Sequence, residues 1–310
     1  MVPALPPEIL REILSFALPF RDTRLNLLTT CSLFCDISRS ILYSDLHFTS
    51  RSQLSSFIGV YSTSKSHVSH APRSIQLDIA GVGSNLFLDL YILFSQCFCD
   101  VAERDEMGRL VLDSLQLRMD SHAFDPRIEM IYSALSLISP RQFSWTGPDP
   151  PHHFSIAIVP QAVPHLFRAL CGYTNLTYLK LTHLTMAFQP SAGALPIIPS
   201  LETFHLGQVV FLQPLTVLTF ILDPHLKNLK HFHLVDAYMD SIWGPRLRRS
   251  NLEFAAIQFV SAEEFSESRA VFQVTSNEII DDIIRNVVIC EAKTERIIGG
   301  DRVEDQAALL

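Results

Sequence analysis

The sequence predicts an α/β protein in which three short amino-terminal helices precede a body of alternating strands and helices. Apolar residues recur every three or four positions in the first fifty residues, which is typical of helices. Further on, a Leu-x-x-apolar-x-Leu pattern recurs, most clearly at Asn175, Ser200 and Asn228. Helical patterns separate its copies. Stacked strand-and-helix units share a continuous core, so we expect an irregular solenoid with a parallel sheet along one side.

The composition limits the function classes. The chain has 310 residues, 48% hydrophobic and 18% charged, which is enough apolar material for a large core. Lys and Arg number 24 against 32 Asp and Glu, a net charge of −8 that gives no general attraction to phosphate backbones or anionic lipid. We therefore expect neither nucleic acid nor membrane as a partner. Six scattered cysteines fit reduced thiols, and no signal peptide or membrane span is evident, so we expect a cytoplasmic or nuclear protein.

The first fifty residues predict three helices that expose apolar surface. Pro6, Pro7 and Glu8 are favourable in an opening helical turn, Asp22 is placed to cap a second helix, and Ser32 can start a third. The first helix carries an apolar stripe at Ile9, Leu10, Ile13 and Leu14. So small a unit has too little interior to hide all its apolar side chains, so part of this surface needs a partner.

This segment resembles the F-box motif in the form common in fungal proteins. The resemblance rests on LPPEILREIL, a Leu-rich helix and CSLFCDISRSILYSDLHF, with Tyr43 where an aromatic residue, often Trp, is usual. It implies docking on a Skp-family adaptor and, through it, on a cullin. By position, five residues would face the adaptor: Leu5, Pro6, Ile9, Leu10 and Ile13. Three would hold the helices together or add to the contact: Leu28, Ile37 and Leu42. The alternative is that these are the first helices of an ordinary helical domain.

The rest of the chain resembles the degenerate leucine-rich repeats that often follow an F-box. We assign residues 1–50 to the F-box, 51–71 to a connector with one helix, 72–275 to the repeats, and 276–310 to a cap helix and tail. Seven strands are predicted, with first inward residues Ile75, Leu115, Phe143, Leu179, Phe204, Phe232 and Ala255. The usual Asn or Cys in the turn after each strand is missing, since Leu184, Val209 and Ala237 fall near that place. Capping-box spacing at Thr275 and Glu278 predicts the cap helix, with Ile279, Ile283 and Val287 as its inner stripe.

Outward side chains of the strands form a candidate surface for recognising a substrate protein. Alternation along each strand places the middle positions in a ladder: Gln76, Gln116, Ser144, Lys180, His205, His233 and Ala256. Beside it we expect Asp78, Arg118, Thr182 and His231. From both groups, the predicted substrate-binding residues are Gln76, Gln116, Arg118, Lys180, His205, His231 and His233. The alternative is a solvated face without a partner.

The sequence contains no recognisable catalytic or metal-binding motif. His205 and His233 should lie roughly 5 Å apart on adjacent strands, but no third metal ligand has a fixed place beside them. Nucleophile elbow, phosphate loop and zinc-helix motifs are missing from the sequence. We therefore predict no catalytic residue, no metal site and no cofactor. The predicted function is substrate recognition in an SCF-type cullin-RING ubiquitin ligase. The alternative is an interaction scaffold of the same fold outside a ligase, and an unrelated hydrolase is a distant third.

Overall fold

A computed structural model describes residues 5–62, 70–80, 85–99, 101, 103–149, 155–186, 194–263 and 277–293. Within them the chain forms one eight-stranded sheet in which every strand is parallel to its neighbours, in the order β1 to β8. The strands are β1 (Asp45–Phe48), β2 (Ser74–Asp78), β3 (Leu110–Arg118), β4 (Ile138–Thr146), β5 (Tyr178–Thr185), β6 (Thr203–Val210), β7 (His231–Val235) and β8 (Val288–Glu291). The predicted α/β class and parallel sheet are confirmed.

Helices connect the strands and cover one face of the sheet. They are α1 (Pro7–Ala17), α2 (Arg21–Thr30), α3 (Ser32–Ser44), α4 (Arg51–Tyr61), α5 (Leu86–Ile92), α6 (Met130–Leu135), α7 (Val163–Leu170), α8 (Pro214–Ile221), α9 (Arg249–Glu263) and α10 (Asn277–Val287). A π-helical turn, Leu93–Cys97, extends α5. Inner side chains of α4 to α10 join those of the strands in one hydrophobic core. In the described part of the chain, every helix is too short or too polar to cross a membrane.

The three amino-terminal helices lie where the sequence predicts them. Proline occupies the opening turn of α1, where a missing backbone N–H costs nothing. The predicted cap of α2 is wrong, because that helix begins at Arg21 after Phe20, and Asp22 lies inside its first turn. There its carboxylate still faces the positive end of the helix dipole.

The predicted strands align in the sheet, with one exception. Ile75, Leu115, Phe143, Leu179, Phe204 and Phe232 are neighbours in register, and all are fully buried. Ala255 is the exception, since its segment forms α9. Burial of Leu252, Ala255 and Ala256 follows the i, i+3, i+4 spacing of a helix, and this overrides the weak likeness to the repeat.

Two strands were not predicted from the sequence. β1 follows α3 directly, with Leu46 and Phe48 buried and Asp45 and His47 exposed. β8 follows α10 and closes the far edge of the sheet. Of the predicted inner stripe of α10, Ile283 and Val287 are half-buried and pack against the core, whereas Ile279 is 50% exposed. The fully buried residues of this helix are Ile280 and Ile284. Thr275 lies outside the described residues.

Three buried polar residues turn the backbone at the carboxyl ends of β5, β6 and β7. His183, Gln208 and Asp236 have φ of 58°, 47° and 51°. Each comes four residues after the first inward residue of its strand. The register of β5 and β6 pairs Thr182 with Gly207 and Leu184 with Val209, so His183 and Gln208 lie between these two successive pairs. The three buried polar residues lie one position before Leu184, Val209 and Ala237, near which the Asn or Cys of a leucine-rich repeat was expected.

Candidate functional site

Seven large apolar side chains are exposed on α1, α2, α3 and the segments around them. We call this group the amino-terminal helical surface. It consists of Leu5, Ile9, Ile13, Phe16, Phe20, Leu25 and Leu33, with exposed fractions between 44% and 73%. Single exposed apolar residues are normal on protein surfaces, but so many within one small three-helix unit favour an interaction site.

The helix α1 has two apolar faces. Leu14 and Leu18 point inward and are 1% and 2% exposed. Ile9, Ile13 and Phe16 fall within an arc of ~60° on another face, since successive helical residues are rotated by about 100°. An isolated small helical unit needs only one inner stripe for its own core. The second stripe is therefore available to another surface.

The predicted adaptor-facing residues divide into two groups. Leu5, Pro6, Ile9 and Ile13 are exposed, whereas Leu10 is half-buried. The residues predicted to hold the helices together or add to the contact are also half-buried: Leu28, Ile37 and Leu42.

Sequence reasoning missed four exposed members of this surface: Phe16, Phe20, Leu25 and Leu33. Phe16 was detectable, because it follows Ile13 by three residues and so continues the outer stripe of α1. The other three lie beyond that helix, and their exposure depends on how α2 and α3 pack.

The second candidate site is the side of the sheet opposite the helices that the structure describes, which we call the open face. Its middle row follows the register across all eight strands: His47, Gln76, Gln116, Ser144, Lys180, His205, His233 and Ile289. Six members were predicted in this order. The predicted seventh, Ala256, is wrong because it is buried in α9, and His47 and Ile289 extend the row at its two ends.

The residues predicted beside this row differ in their availability. Arg118 is opposite Asp78 in the register and forms an ion pair with it at 3.0 Å, as well as donating to the Pro148 carbonyl. Thr182 is buried, with its hydroxyl 2.9 Å from Nδ1 of His183. His231 is exposed and belongs to the neighbouring row, opposite Thr203. Arg118 and Thr182 are thus engaged within the protein, while His231 is accessible.

Three imidazoles cluster on the open face. The rings of His205 and His233 are stacked with centroids 5.9 Å apart, and His231 lies 6.1 Å from His233. Burial, with Lys180 nearby, lowers the pKa of His205 to about 4. Burial also lowers the pKa of His233, although Glu291 opposes this. Both rings are therefore neutral near pH 7. Across the described residues, no three His, Cys, Asp or Glu side chains are grouped so as to hold a metal ion.

The sequence matches no protein-family model and none of the curated proteins. Its functional assignment therefore depends on these two surfaces.

Proposed function

We propose that this protein is a non-catalytic substrate-recognition adaptor of an SCF-type cullin-RING ubiquitin ligase. The amino-terminal helical surface docks on a Skp-family adaptor, and the open face binds a target protein. The observation that carries the proposal is the second apolar stripe of α1, which remains exposed although Leu14 and Leu18 already supply an inner core. Because this stripe lies within the segment that resembles an F-box, we propose a Skp-family adaptor as its partner.

Burial of the amino-terminal helical surface supplies a realistic driving force. Completely burying a Leu, Ile or Phe contributes about 1.5–3 kcal/mol, so a side chain that is already half-covered adds roughly 1 kcal/mol. Phe16 and Phe20 are 71% and 66% exposed and have the most surface to lose. Large aromatic side chains often dominate the energy of an interface. We expect them to anchor the contact, with Ile9 and Ile13 beside them.

The sheet supports the second half of the proposal. Its strands follow chain order and its helices cover one face, as in a leucine-rich-repeat solenoid. The open face is then a rigid, extended surface on which a target can bind without large ordering costs. Holding the target beside the ligase raises its effective concentration there, so the adaptor needs no catalytic groups of its own.

Co-purification with a Skp homologue tests the proposal. The whole chain should retain the Skp homologue, and the double variant Ile9→Asp/Ile13→Asp should lose it, because two carboxylates would then have to be desolvated in the interface. Both residues are exposed, so the variant should keep its circular dichroism spectrum. Leu215→Asp is the matched control: Leu215 is 50% exposed on α8, and its replacement should leave Skp binding intact.

Two results would overturn the proposal: no co-purification with the intact chain, or equal retention by the double variant. If a target protein were nevertheless captured through the open face, the protein would be an interaction scaffold outside a ligase.

A further inference from the structure

The middle of the open face carries a group of basic side chains on β5, β6 and β7. The outward residues of β5, β6 and β7 in the middle row are Lys180, His205 and His233, and His231 stands beside the last of these. We call these four residues the basic cluster. Their row neighbours on β5 to β7 are uncharged, namely Tyr178 and Thr203 on one side and Thr182, Gly207 and Val235 on the other, and Val235 is paired with Glu291 of β8. This is unusual in a chain with net charge −8.

Three other cations around the open face are already paired. Arg73 contacts Asp113 at 2.7 Å, and Arg118 contacts Asp78 at 3.0 Å. Lys230 contacts Glu202 at 2.7 Å. Lys180, by contrast, forms no ion pair with another residue that the structure describes. It is half-buried, so its ammonium group has a defined neighbourhood.

Charges from the neighbouring strand complete the surroundings of the basic cluster. Glu291 of β8 and Lys293 after it influence His205 and His233 with opposite signs. These two residues form an ion pair at 2.9 Å, so they largely cancel. A ligand carboxylate would therefore meet no unpaired negative charge among the described residues here.

The position of His205 is fixed by close packing. A Cβ at position 207 would lie 2.9 Å from Cγ2 of Thr182 and 3.4 Å from Nε2 of His205. Glycine at this position therefore leaves room for the Thr182 methyl group and lets the His205 ring lie beside the β6 backbone. The His205 ring is also stacked on His233, with 25° between their planes. The two rings are therefore held in place before any ligand arrives, which reduces the entropy cost of binding.

We propose that the basic cluster binds an acidic segment of the target protein, and that a proton is taken up when it binds. A carboxylate accepts a hydrogen bond from the Lys180 ammonium group and another from the newly protonated His205. This inference rests on the proposed function, because it specifies the target that the open face recognises. It assigns carboxylates rather than phosphates as the ligand, since the cluster contains no arginine fork and Arg118 is engaged with Asp78.

Proton uptake follows from the electrostatics. In the free protein, burial and the Lys180 charge keep His205 neutral near pH 7. A bound carboxylate neutralises that charge and accepts a hydrogen bond from the charged imidazole, and both effects raise the pKa of His205. Affinity must then increase as the pH falls, because protonation and binding favour each other.

Fluorescence anisotropy with a labelled peptide of alternating Glu and Ser tests the inference. The same peptide with Gln in place of Glu is the ligand control. Removing the charge-assisted hydrogen bond by Lys180→Gln should weaken binding at least about tenfold. Lys227→Gln is the matched protein control: it removes the same charge from an exposed loop after α8 and should have little effect.

The pH dependence gives a second readout. Between about pH 7.5 and 5.5, where the peptide carboxylates stay ionised, binding to the unaltered protein should tighten several-fold. The double variant His205→Asn/His233→Asn should lose most of this dependence. Equal binding of the Glu and Gln peptides, an equal effect of Lys180→Gln and Lys227→Gln, or a flat pH profile would each overturn the inference.

The outcomes separate this inference from the proposed function. If the Glu peptide does not bind but the Skp homologue still co-purifies, only the assignment of the ligand falls. If the Glu peptide binds with the expected pH dependence but the Skp homologue does not co-purify, the open face still recognises acidic segments in a protein outside a ligase.

Discussion

The ion pair between Asp236 and Arg246 is the most deeply buried charged contact among those the structure describes. Oδ1 of Asp236 lies 3.0 Å from Nε of Arg246, with side chains 2% and 1% exposed. The Lys293 backbone N–H also donates to Asp236 Oδ1, at 3.1 Å. The guanidinium lies over the Tyr238 ring at 5.9 Å. The pair thus joins the end of β7 to the following loop and to the segment after β8.

Replacing Arg246 with Met should strongly destabilise the protein. The variant keeps most of the side-chain volume but leaves the Asp236 carboxylate buried without its counter-charge. Breaking a buried pair in this way costs about 3–5 kcal/mol, a large part of the roughly 5–15 kcal/mol that stabilises a typical domain. Asp236→Asn should also destabilise the protein, because it removes the negative charge that lies 3.0 Å from the buried guanidinium. Asn tolerates the left-handed backbone at this position, where φ is 51°, so backbone strain does not confuse the comparison.

Urea unfolding followed by circular dichroism measures these costs. The double variant Arg246→Met/Asp236→Asn should be more stable than either single variant, because it leaves no unpaired charge in the interior. Arg118→Met is the control, since its ion pair with Asp78 is 46% and 31% exposed and should contribute less than about 1 kcal/mol. The reasoning is refuted if Arg246→Met costs less than about 1 kcal/mol, or if the two single costs simply add in the double variant.

Two further predictions concern the open face and its surroundings. Gly207→Ala should lower the free energy of unfolding by about 1–3 kcal/mol, because the new Cβ would crowd Thr182. Gly59→Ala on α4, where nothing lies within 4 Å of the new Cβ, should instead stabilise by about 0.5–1 kcal/mol, and thermal denaturation of both variants checks the contrast. Folding lowers the pKa of His205 from 6.5 to about 4. Between these two pH values the unfolded chain binds a proton at His205 that the folded chain does not, so the free energy of unfolding decreases as the pH falls from 6.5 to about 4. His205→Asn should reduce the loss of urea resistance between about pH 7 and 5, and equal losses in both proteins would contradict this explanation.

The strands that the sequence predicted well are those with the strongest local pattern. In β5, β6 and β7 an apolar residue, a polar residue and Leu follow one another, and their inward residues lie in register as expected. β1 carried an equally regular alternation from Asp45 to Phe48, but it is four residues long and directly follows a helix. Its likeness to the end of the amino-terminal motif hid that signal. Short strands are specified by their neighbours in the sheet more than by their own residues.

The amino-terminal helical surface was predictable only in part, because exposure is decided by tertiary packing. Periodicity identified the apolar residues of α1 but could not tell which of its two apolar faces is inner. Ile9 and Leu14 are both strongly apolar, yet Leu14 is 1% exposed and Ile9 is 44% exposed. The left-handed backbone at His183 and Gln208 was likewise hidden, since His and Gln carry much less preference for that conformation than Gly.

The junction between the amino-terminal helices and the sheet is rigid, as the proposed adaptor function requires. α3 ends at Ser44 and β1 begins at Asp45, so no flexible linker separates the helices from the sheet. The Ser44 carbonyl accepts a hydrogen bond from the Arg73 backbone N–H at 2.8 Å, and the Asp45 carboxylate accepts one from the Ser74 hydroxyl. The last amino-terminal helix is thus attached to both β1 and the segment that begins β2. A protein that acts by proximity benefits from such stiffness, because effective concentration depends on whether the connection holds its two ligands at a suitable distance.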